Sequence, residues 1–416
     1  MDFVKNGGLI TFVYMINRLG FALVVFFTLV QIIPAQAQKN NDVQLTSLPY
    51  YNFGRGVGLT SPDSVFQFNI RFRMQNRIGY LRDQEGRPAF DAQVRRLRLR
   101  FDGFVGDPRF LYVIQLSFAP GDVGQLEEGA NLNVIRDAAI IYRPSARWDI
   151  VFGQTKLPGN RQRINSSGAL QLTDRSITNA RFNIDRDFGL QVNYIGEKAQ
   201  TSSWNVKTAI SSGDGRNFTA NPDDGLAYTA KLEWFPLGGF QNSGVFFEGD
   251  LVREPRPKIL LSAAYHFNHK AKRTLGVLGE DLFESRNLSS LLADFLFKYR
   301  GSALMAAYMR RNTQDPITTN SQGDIRRIYV GEGWDIQPSY HFKNDFEIIG
   351  RYSRVKPFAT LQNLEPRQNE WTLGLTRYFW EHAFKIQTEV TYDRFYFPNG
   401  SEKRAWFARF QVEMGI

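Results

Sequence analysis

The sequence predicts an all-β chain, a transmembrane antiparallel β-barrel with long external loops and short periplasmic turns. Three observations carry this. Apolar and polar residues alternate with period two over segments of about 9–15 residues, beyond the usual globular strand length of about 5–6. The connections between these segments alternate between long and short, as they do in outer-membrane barrels. An apolar export segment precedes them.

Composition narrows the field first. The chain has 416 residues, 43% apolar and 22% charged, with a net charge of +10 and no cysteine. Its mean hydropathy is negative, which excludes a bundle of membrane helices. The missing cysteines exclude disulfide frameworks, thiolate-bound zinc and thiol catalysis. The basic excess points to an anionic solute, an anionic membrane surface or nucleic acid.

Residues 20–33 form one apolar run, followed by Pro34-Ala35-Gln36-Ala37. About 14 residues are too few to span a membrane comfortably, and small residues at 35 and 37 suit signal peptidase. Residues 1–37 are therefore expected to be a signal peptide cut near Ala37. Met15-Ile16-Asn17-Arg18 has the character of a charged n-region, so Met15 is an alternative start. Export argues against a nucleic-acid partner, and together with the barrel pattern it makes the outer membrane of a Gram-negative cell the expected location. Residues 38–64 read as a leader, and 65–416 as the pore domain.

In 65–80, Phe66, Phe68, Ile70, Phe72, Met74, Ile78 and Tyr80 share one face, while Arg71, Arg73 and Arg77 share the other. A helix would scatter these arginines around its circumference, whereas a strand collects them. In 93–103, Leu97, Leu99 and Phe101 oppose Arg96, Arg98, Arg100 and Asp102. Segment 110–118 carries Phe110, Tyr112, Ile114, Leu116 and Phe118 on one side. Near the end, Phe384, Ile386, Val390 and Tyr392 oppose Lys385, Gln387, Glu389 and Asp393, and Trp406 to Ile416 repeats the scheme against Arg409, Gln411 and Glu413. A soluble sandwich also alternates, but these strands are long and their polar faces densely charged. An apolar face turned to lipid forces closure, because open edges cannot be satisfied there.

The connections are expected at 81–91 (long), 106–109 (short), 119–132 (long, Gly-rich), 144–147 (short) and 156–185 (long). With the first strand leaving a periplasmic N-terminus, the long ones are external, and 156–185 is the third of them. Its length suggests that it folds into the lumen as a constriction.

These residues resemble the phosphate-selective porin O/P family, in its Bacteroidetes-type branch, from about residue 60 onward. The carrying stretches are Arg71 to Arg77, Arg95 to Gly103, Arg136-Asp137-Ala138, Phe152 to Pro158, Arg186 to Gly189, Gly331 to Trp334 with Gln337, and Thr376 to Trp380 with His382 and Lys385-Ile386-Gln387. The resemblance implies a barrel of about 16 strands, a homotrimer, and a basic lumen that passes small anions, phosphate among them. Two departures are visible. The family's constriction is associated with lysines, yet 157–188 holds Arg161, Arg163, Arg175, Arg181 and Arg186 and no lysine; Lys156 stands just before it. The last residue is Ile416 where such barrels often end on an aromatic.

Alternate side chains on a strand stand about 6.6 Å apart, and two like charges about 7 Å apart repel by roughly 2.4 kcal/mol at an effective dielectric of about 20. Rows of arginine therefore need water, carboxylates or mobile anions beside them. Inward carboxylates such as Asp102 and Asp137 are one way to brace them. Because arginines outnumber nearby acids, a net positive lumen is expected, which concentrates anions. The candidate pore-lining set is Arg71, Arg73, Arg77, Arg96, Arg98, Arg100, Lys156, Arg161, Arg163, Arg175, Arg181 and Arg186. The four histidines are scattered and no nucleophile or phosphate-loop motif stands out, so no metal, cofactor or enzymatic activity is expected. The other expected contacts are outer-membrane lipid and lipopolysaccharide. The competing functional class is a structural or partner-binding scaffold with a closed lumen.

Overall fold

The computed structural model describes residues 56–63, 65–123, 133–217 and 225–416. The expected export segment and its cleavage site lie outside the described residues. The strands are β1 (Val57–Thr60), β2 (Phe66–Arg82), β3 (Pro88–Val105), β4 (Phe110–Ser117), β5 (Ile135–Ser145), β6 (Trp148–Lys156), β7 (Arg186–Ile195), β8 (Ser203–Ser211), β9 (Ala227–Phe235) and β10 (Lys258–Arg273). They continue with β11 (Asp281–Tyr299), β12 (Ser302–Asn312), β13 (Ile317–Thr319), β14 (Ile325–Arg327), β15 (Gly331–His341), β16 (Phe346–Pro357), β17 (Arg367–Trp380), β18 (Phe384–Tyr396) and β19 (Glu402–Gly415).

Sixteen of these, β2 to β12 and β15 to β19, pair antiparallel in chain order, and β19 returns to β2. The barrel is closed, so no backbone edge faces lipid. β13 and β14 form a separate hairpin between β12 and β15.

The expected leader contains one element of the sheet. β19 covers β2 only from Arg73 to Arg82. β1 lies along the uncovered stretch, Gln67 to Ile70. An exposed edge of a 17-residue strand is thereby paired off.

The first external connection is shorter than expected. Pro88 to Asp91 continue the ladder opposite Arg82 to Gly79, leaving a hairpin loop of 83–87. The Asp83 carboxylate accepts from the backbone N–H of Glu85 and of Arg87 and pairs with the Arg87 guanidinium, while Gly86 supplies the positive φ. The other connections at this end are long where expected, including 118–134 and 157–185.

One turn departs from the short pattern at the end where β2 begins and β19 finishes. Between β9 and β10 the chain runs 22 residues, 236–257, and folds inward. Phe240 packs with the inward-facing Phe235, Leu260, Leu296 and Met305.

Strand length varies around the barrel. β4 to β9, the low wall, have 8–11 residues, whereas β10 to β12, β15 to β19, β2 and β3, the tall wall, have 11–19. On the tall wall an outward aromatic belt crosses seven strands through Tyr308, Trp334, Tyr352, Trp371, Tyr392, Trp406 and Tyr80. Its rings meet at 5.1 Å (Trp334–Tyr352), 5.3 Å (Tyr352–Trp371) and 5.4 Å (Tyr80–Trp406). Such belts mark the level of the membrane interface.

Candidate lumen constriction

The alternation puts odd residues of β2 inside, so Arg71, Arg73, Gln75 and Arg77 face the lumen while Phe66, Phe68, Phe72 and Ile78 are exposed on the outer surface. In β3 a bulge opposite Gln75 and Asn76 inserts one extra residue. Below it Arg96, Arg98, Arg100 and Asp102 face inward as expected. The inserted residue, Arg95, also reaches the lumen.

Residues 157–185 fold into the barrel, and most of them are buried. Ser176 caps the helical turn Ile177–Phe182 by accepting from Asn179 N–H at 3.1 Å, and Ser166 does the same for Gly168 at 3.2 Å. A chain inside a lumen has backbone groups that no ladder satisfies. The wall supplies their partners. Lys385 donates to the carbonyls of Gly168 (2.8 Å) and Leu170 (2.6 Å), and Gln387 to those of Leu170 and Leu172. Arg351 donates to Asp174 O (3.0 Å), Arg311 to Arg181 O and Asn183 O, and Lys231 to Gly159 O. The Glu389 carboxylate accepts from the Thr173 N–H at 2.9 Å. At Gly168 the loop passes so close to the wall that a Cβ would displace the tips of the Arg73 and Glu413 side chains. Phe182 and Ile184 complete the docking in an apolar cluster with Ala209, Ala264, Leu292, Met309 and Val355.

The inward turn 236–257 meets the loop from the other side. The Glu248 carboxylate accepts from Gln171 N–H (3.0 Å), Gln162 Nε2 (3.3 Å) and Gln337 Nε2 (3.2 Å). Together the two segments fill the sector beside β9 to β12.

Between the loop and the opposite wall lies a cavity of about 480 Å³. Ten arginines and Lys156 line it, against the five carboxylates of Asp122, Asp174, Asp185, Glu370 and Glu389. Three of these carboxylates are shared. Asp174 pairs with Arg77 (3.0 Å), Arg95 (2.9 Å) and Arg96 (2.8 Å). Asp122 holds Arg98 (2.7 Å) and Arg136 (2.9 Å). Asp185 holds Arg163 (2.6 Å), Arg186 (3.3 Å) and Arg216 (4.0 Å). Lys156 and Arg175 instead donate to backbone carbonyls, Lys156 to Ile164 and Asn165, and Arg175 to Gln162 and Asn165. Burial alone would push the pKa of the Asp174 carboxyl up, on the loop outside the strands, but its neighbours Arg96 and Arg95 and then Arg77 hold it well below the usual carboxylate range.

Of the sequence candidates, Arg96, Arg98, Lys156, Arg163, Arg175 and Arg186 line this cavity. The other six have different settings. Arg71 and Arg100 both pair with Asp102. Arg73 donates to the Ser166 and Ser167 hydroxyls, and Arg77 bridges Asp91 and Asp174. Arg161 donates to Phe247 O, and Arg181 lies 5.0 Å over the Tyr329 ring. Further lining groups are Arg95, Arg136, Arg216, Arg351 and Arg409. Strand alternation places Arg409 inside; the bulge that turns Arg95 inward leaves no local sign in the sequence.

Among solved structures, the chain is similar to DcaP, an outer membrane channel of Acinetobacter baumannii, with 14% identity, 86% of this chain and 99% of that one covered, and a TM-score of 0.53. It is also similar to Salmonella typhi OmpF in complex with daunomycin (12%, 86% and 100%, TM-score 0.53) and to Pseudomonas putida OprB (11%, 85% and 95%, TM-score 0.50). At such identities the likeness establishes the fold. A comparison with curated proteins finds no match. The family model described as phosphate-selective porin O and P matches residues 68–393. With that match over most of its length, on a closed 16-stranded barrel narrowed by an inward loop, the chain belongs to the phosphate-selective porin O and P family and is an outer-membrane channel.

Proposed function

We propose that the barrel passes small anions by passive diffusion, with phosphate among them. The observation that supports this most is the excess of eleven basic groups over five carboxylates around the open cavity. Shared carboxylates fix the arginines in place without neutralising them, and a fixed positive lining attracts anions and repels cations. Arg96, Arg98, Arg163 and Arg186 form the paired part of the lining, while Lys156 and Arg175 carry charge that no carboxylate neighbour cancels by direct contact. Arg161 and Arg181 act in this reading as struts of the loop. Arginine's fork of donors suits phosphate, and sharing along several sites keeps each solute from being trapped. We propose a homotrimer, its contact formed by the low wall, where the outward faces of β4 to β9 expose Ile114, Ile140, Phe152, Leu190 and Ile210.

The test is the reversal potential of the purified barrel in a planar bilayer under a potassium chloride gradient, repeated with phosphate replacing chloride. The expected potential lies toward the anion's equilibrium value. A potential toward that of potassium overturns the reading. A second reading, a scaffold with a closed lumen, draws support from the two segments that fill one sector; absence of any conductance from folded, inserted protein would favour it.

A further inference from the structure

The outward face of the tall wall turns basic two residues beyond its aromatic belt, toward the loop end. Arg310 follows Tyr308, Arg354 follows Tyr352, Arg394 follows Tyr392 and Arg82 follows Tyr80. On the strands that run the other way, Arg404 precedes Trp406, Glu332 precedes Trp334 and Asn369 precedes Trp371. The register joins these positions across neighbouring strands: Arg310 opposes Glu332, Arg354 opposes Asn369, Asn369 opposes Arg394, and Arg394 opposes Arg404. Lys356 and Arg367 add a second tier on the same face.

Among the described residues of β12, β15 to β19 and β2, two acids stand on this face, Glu332, which Lys356 opposes across the ladder, and Glu402. Glu402 pairs with Arg394 (2.6 Å) and Arg404 (3.1 Å), and Glu332 accepts the Tyr308 hydroxyl at 3.0 Å. Arg310 and Arg367 lie over the Phe358 and Tyr396 rings, at 5.0 and 4.1 Å. Arg82, Arg354 and Lys356 make no ion pair among the described residues. Among the described residues the low wall has no comparable row. At the same end its exposed outward side chains are Ile135, Phe188, Ile210 and Tyr228.

The wall thus presents three layers in order. Leu373 and Val390 are exposed below the belt, aromatic rings form the belt, and cations sit about 6.6 Å, two strand residues, above it. This order matches an amphipathic molecule standing in the outer leaflet: acyl chains, a polar backbone at ring level, then phosphate. We propose that the basic row docks the phosphate groups of a phosphorylated glycolipid of the outer leaflet. The proposal rests on the outer-membrane placement with the loop end outward, and it is independent of what the lumen passes. A free phosphate ion fits less well, because the convex wall encloses nothing and the exposed apolar layer beneath would go unused.

The test uses the folded full-length barrel in neutral detergent, titrated with purified bisphosphorylated lipid A and with its dephosphorylated form. Tryptophan emission and lipid retained through gel filtration are read. The phosphorylated lipid is expected to bind about tenfold tighter, as charge-assisted contacts to several cations predict. Millimolar inorganic phosphate should leave it bound. The variant Arg82→Gln, Arg354→Gln, Lys356→Gln should bind it several-fold more weakly, with an unchanged reversal potential in planar bilayers. Equal affinity for the two lipids overturns the proposal, and that comparison uses the unaltered protein, so a poorly folding variant does not obscure it. Full displacement by inorganic phosphate also overturns it, assigning the row to free anions. A cation-selective current, by contrast, would count against the proposed solute and leave this row untouched.

Discussion

The inner faces of β2–β3 and of β10–β12 differ in apolar content within one barrel. The first carries Arg73, Gln75, Arg77, Arg96 and Arg98; the second intersperses Leu260, Ala264, Leu292, Leu296, Met305 and Met309 with polar groups such as Ser262, His266, Asp294, Lys298 and Arg311, all buried. The arginine side borders the open cavity. The apolar side is covered by loop 157–185 through Phe182 and by turn 236–257 through Phe240. The pore is therefore set by where the wall is dry as much as by where it is charged. Apolar inward residues hold two segments against one sector and leave the solute to the sector that water and anions can occupy. Burying an apolar side chain contributes roughly 1.5–3 kcal/mol, so a few such contacts suffice to fix each segment.

Breaking the dry side has the largest expected effect. Phe182→Ala empties a fully buried position and should cost about 3–5 kcal/mol of loop docking. The expected outcome is a barrel that still folds, with larger and noisier single-channel conductance and weaker anion preference. Unchanged conductance in folded Phe182→Ala protein would mean that this cluster does not set the aperture.

The same logic run outward on the charged strand gives a somewhat smaller effect. Leu99 faces away from the arginines of β3, toward lipid, and Leu99→Arg should cost about 2–4 kcal/mol if it lies near the midplane. Urea titration of barrel refolded into lipid vesicles measures it. A near-zero cost would place that position near the interface and shift the reading of the whole strand.

These two groups of strands also differ in how plainly they were written in the sequence. β2, β3, β18 and β19 alternate because one face meets lipid and the other water, and that pattern alone identified strands and inward arginines. β10 to β12 read differently: Leu260-Leu261, Leu291-Leu292 and Phe295-Leu296-Phe297 put apolar residues on both faces. Two-sided apolar strands are covered on both sides, so the inward segments had a signal, though not one that says which segment does the covering. The length of 157–185 pointed to it correctly, whereas 236–257 stands where turns are normally short. The register bulge that adds Arg95 and the sharing of Asp122, Asp174 and Asp185 depend on contacts between residues far apart in the chain, which no local pattern encodes.

Within the charged sector the comparison can be sharpened further. Lys156 and Arg175 hydrogen-bond to backbone carbonyls, while Arg96 and Arg98 are held by carboxylates. Replacing Arg175 alone by Gln should therefore lower anion preference more than replacing Arg98 alone, which Asp122 matches at 2.7 Å. Reversal potentials of the two variants under the same gradient decide it. Equal shifts would show that pairing does not screen these charges from the solute.

The smallest effect expected is one of pH. Asp174 ties the loop to β2 and β3 through three arginines that hold its carboxyl well below the usual carboxylate range. A depressed carboxylate contributes its full stabilisation above the ordinary value of about 3.9 and loses it only as pH falls through its own lower value in the folded protein. Single-channel conductance should thus stay level from about pH 8 to about pH 5 as far as this contact is concerned, and the loop should loosen only in stronger acid. Asp174→Asn removes the charge at every pH, so it should show at neutrality the noisier conductance that the unaltered barrel reaches only in acid. If the unaltered barrel already changes between pH 6 and pH 5, another group governs the loop, and the three arginines are braced by something other than Asp174.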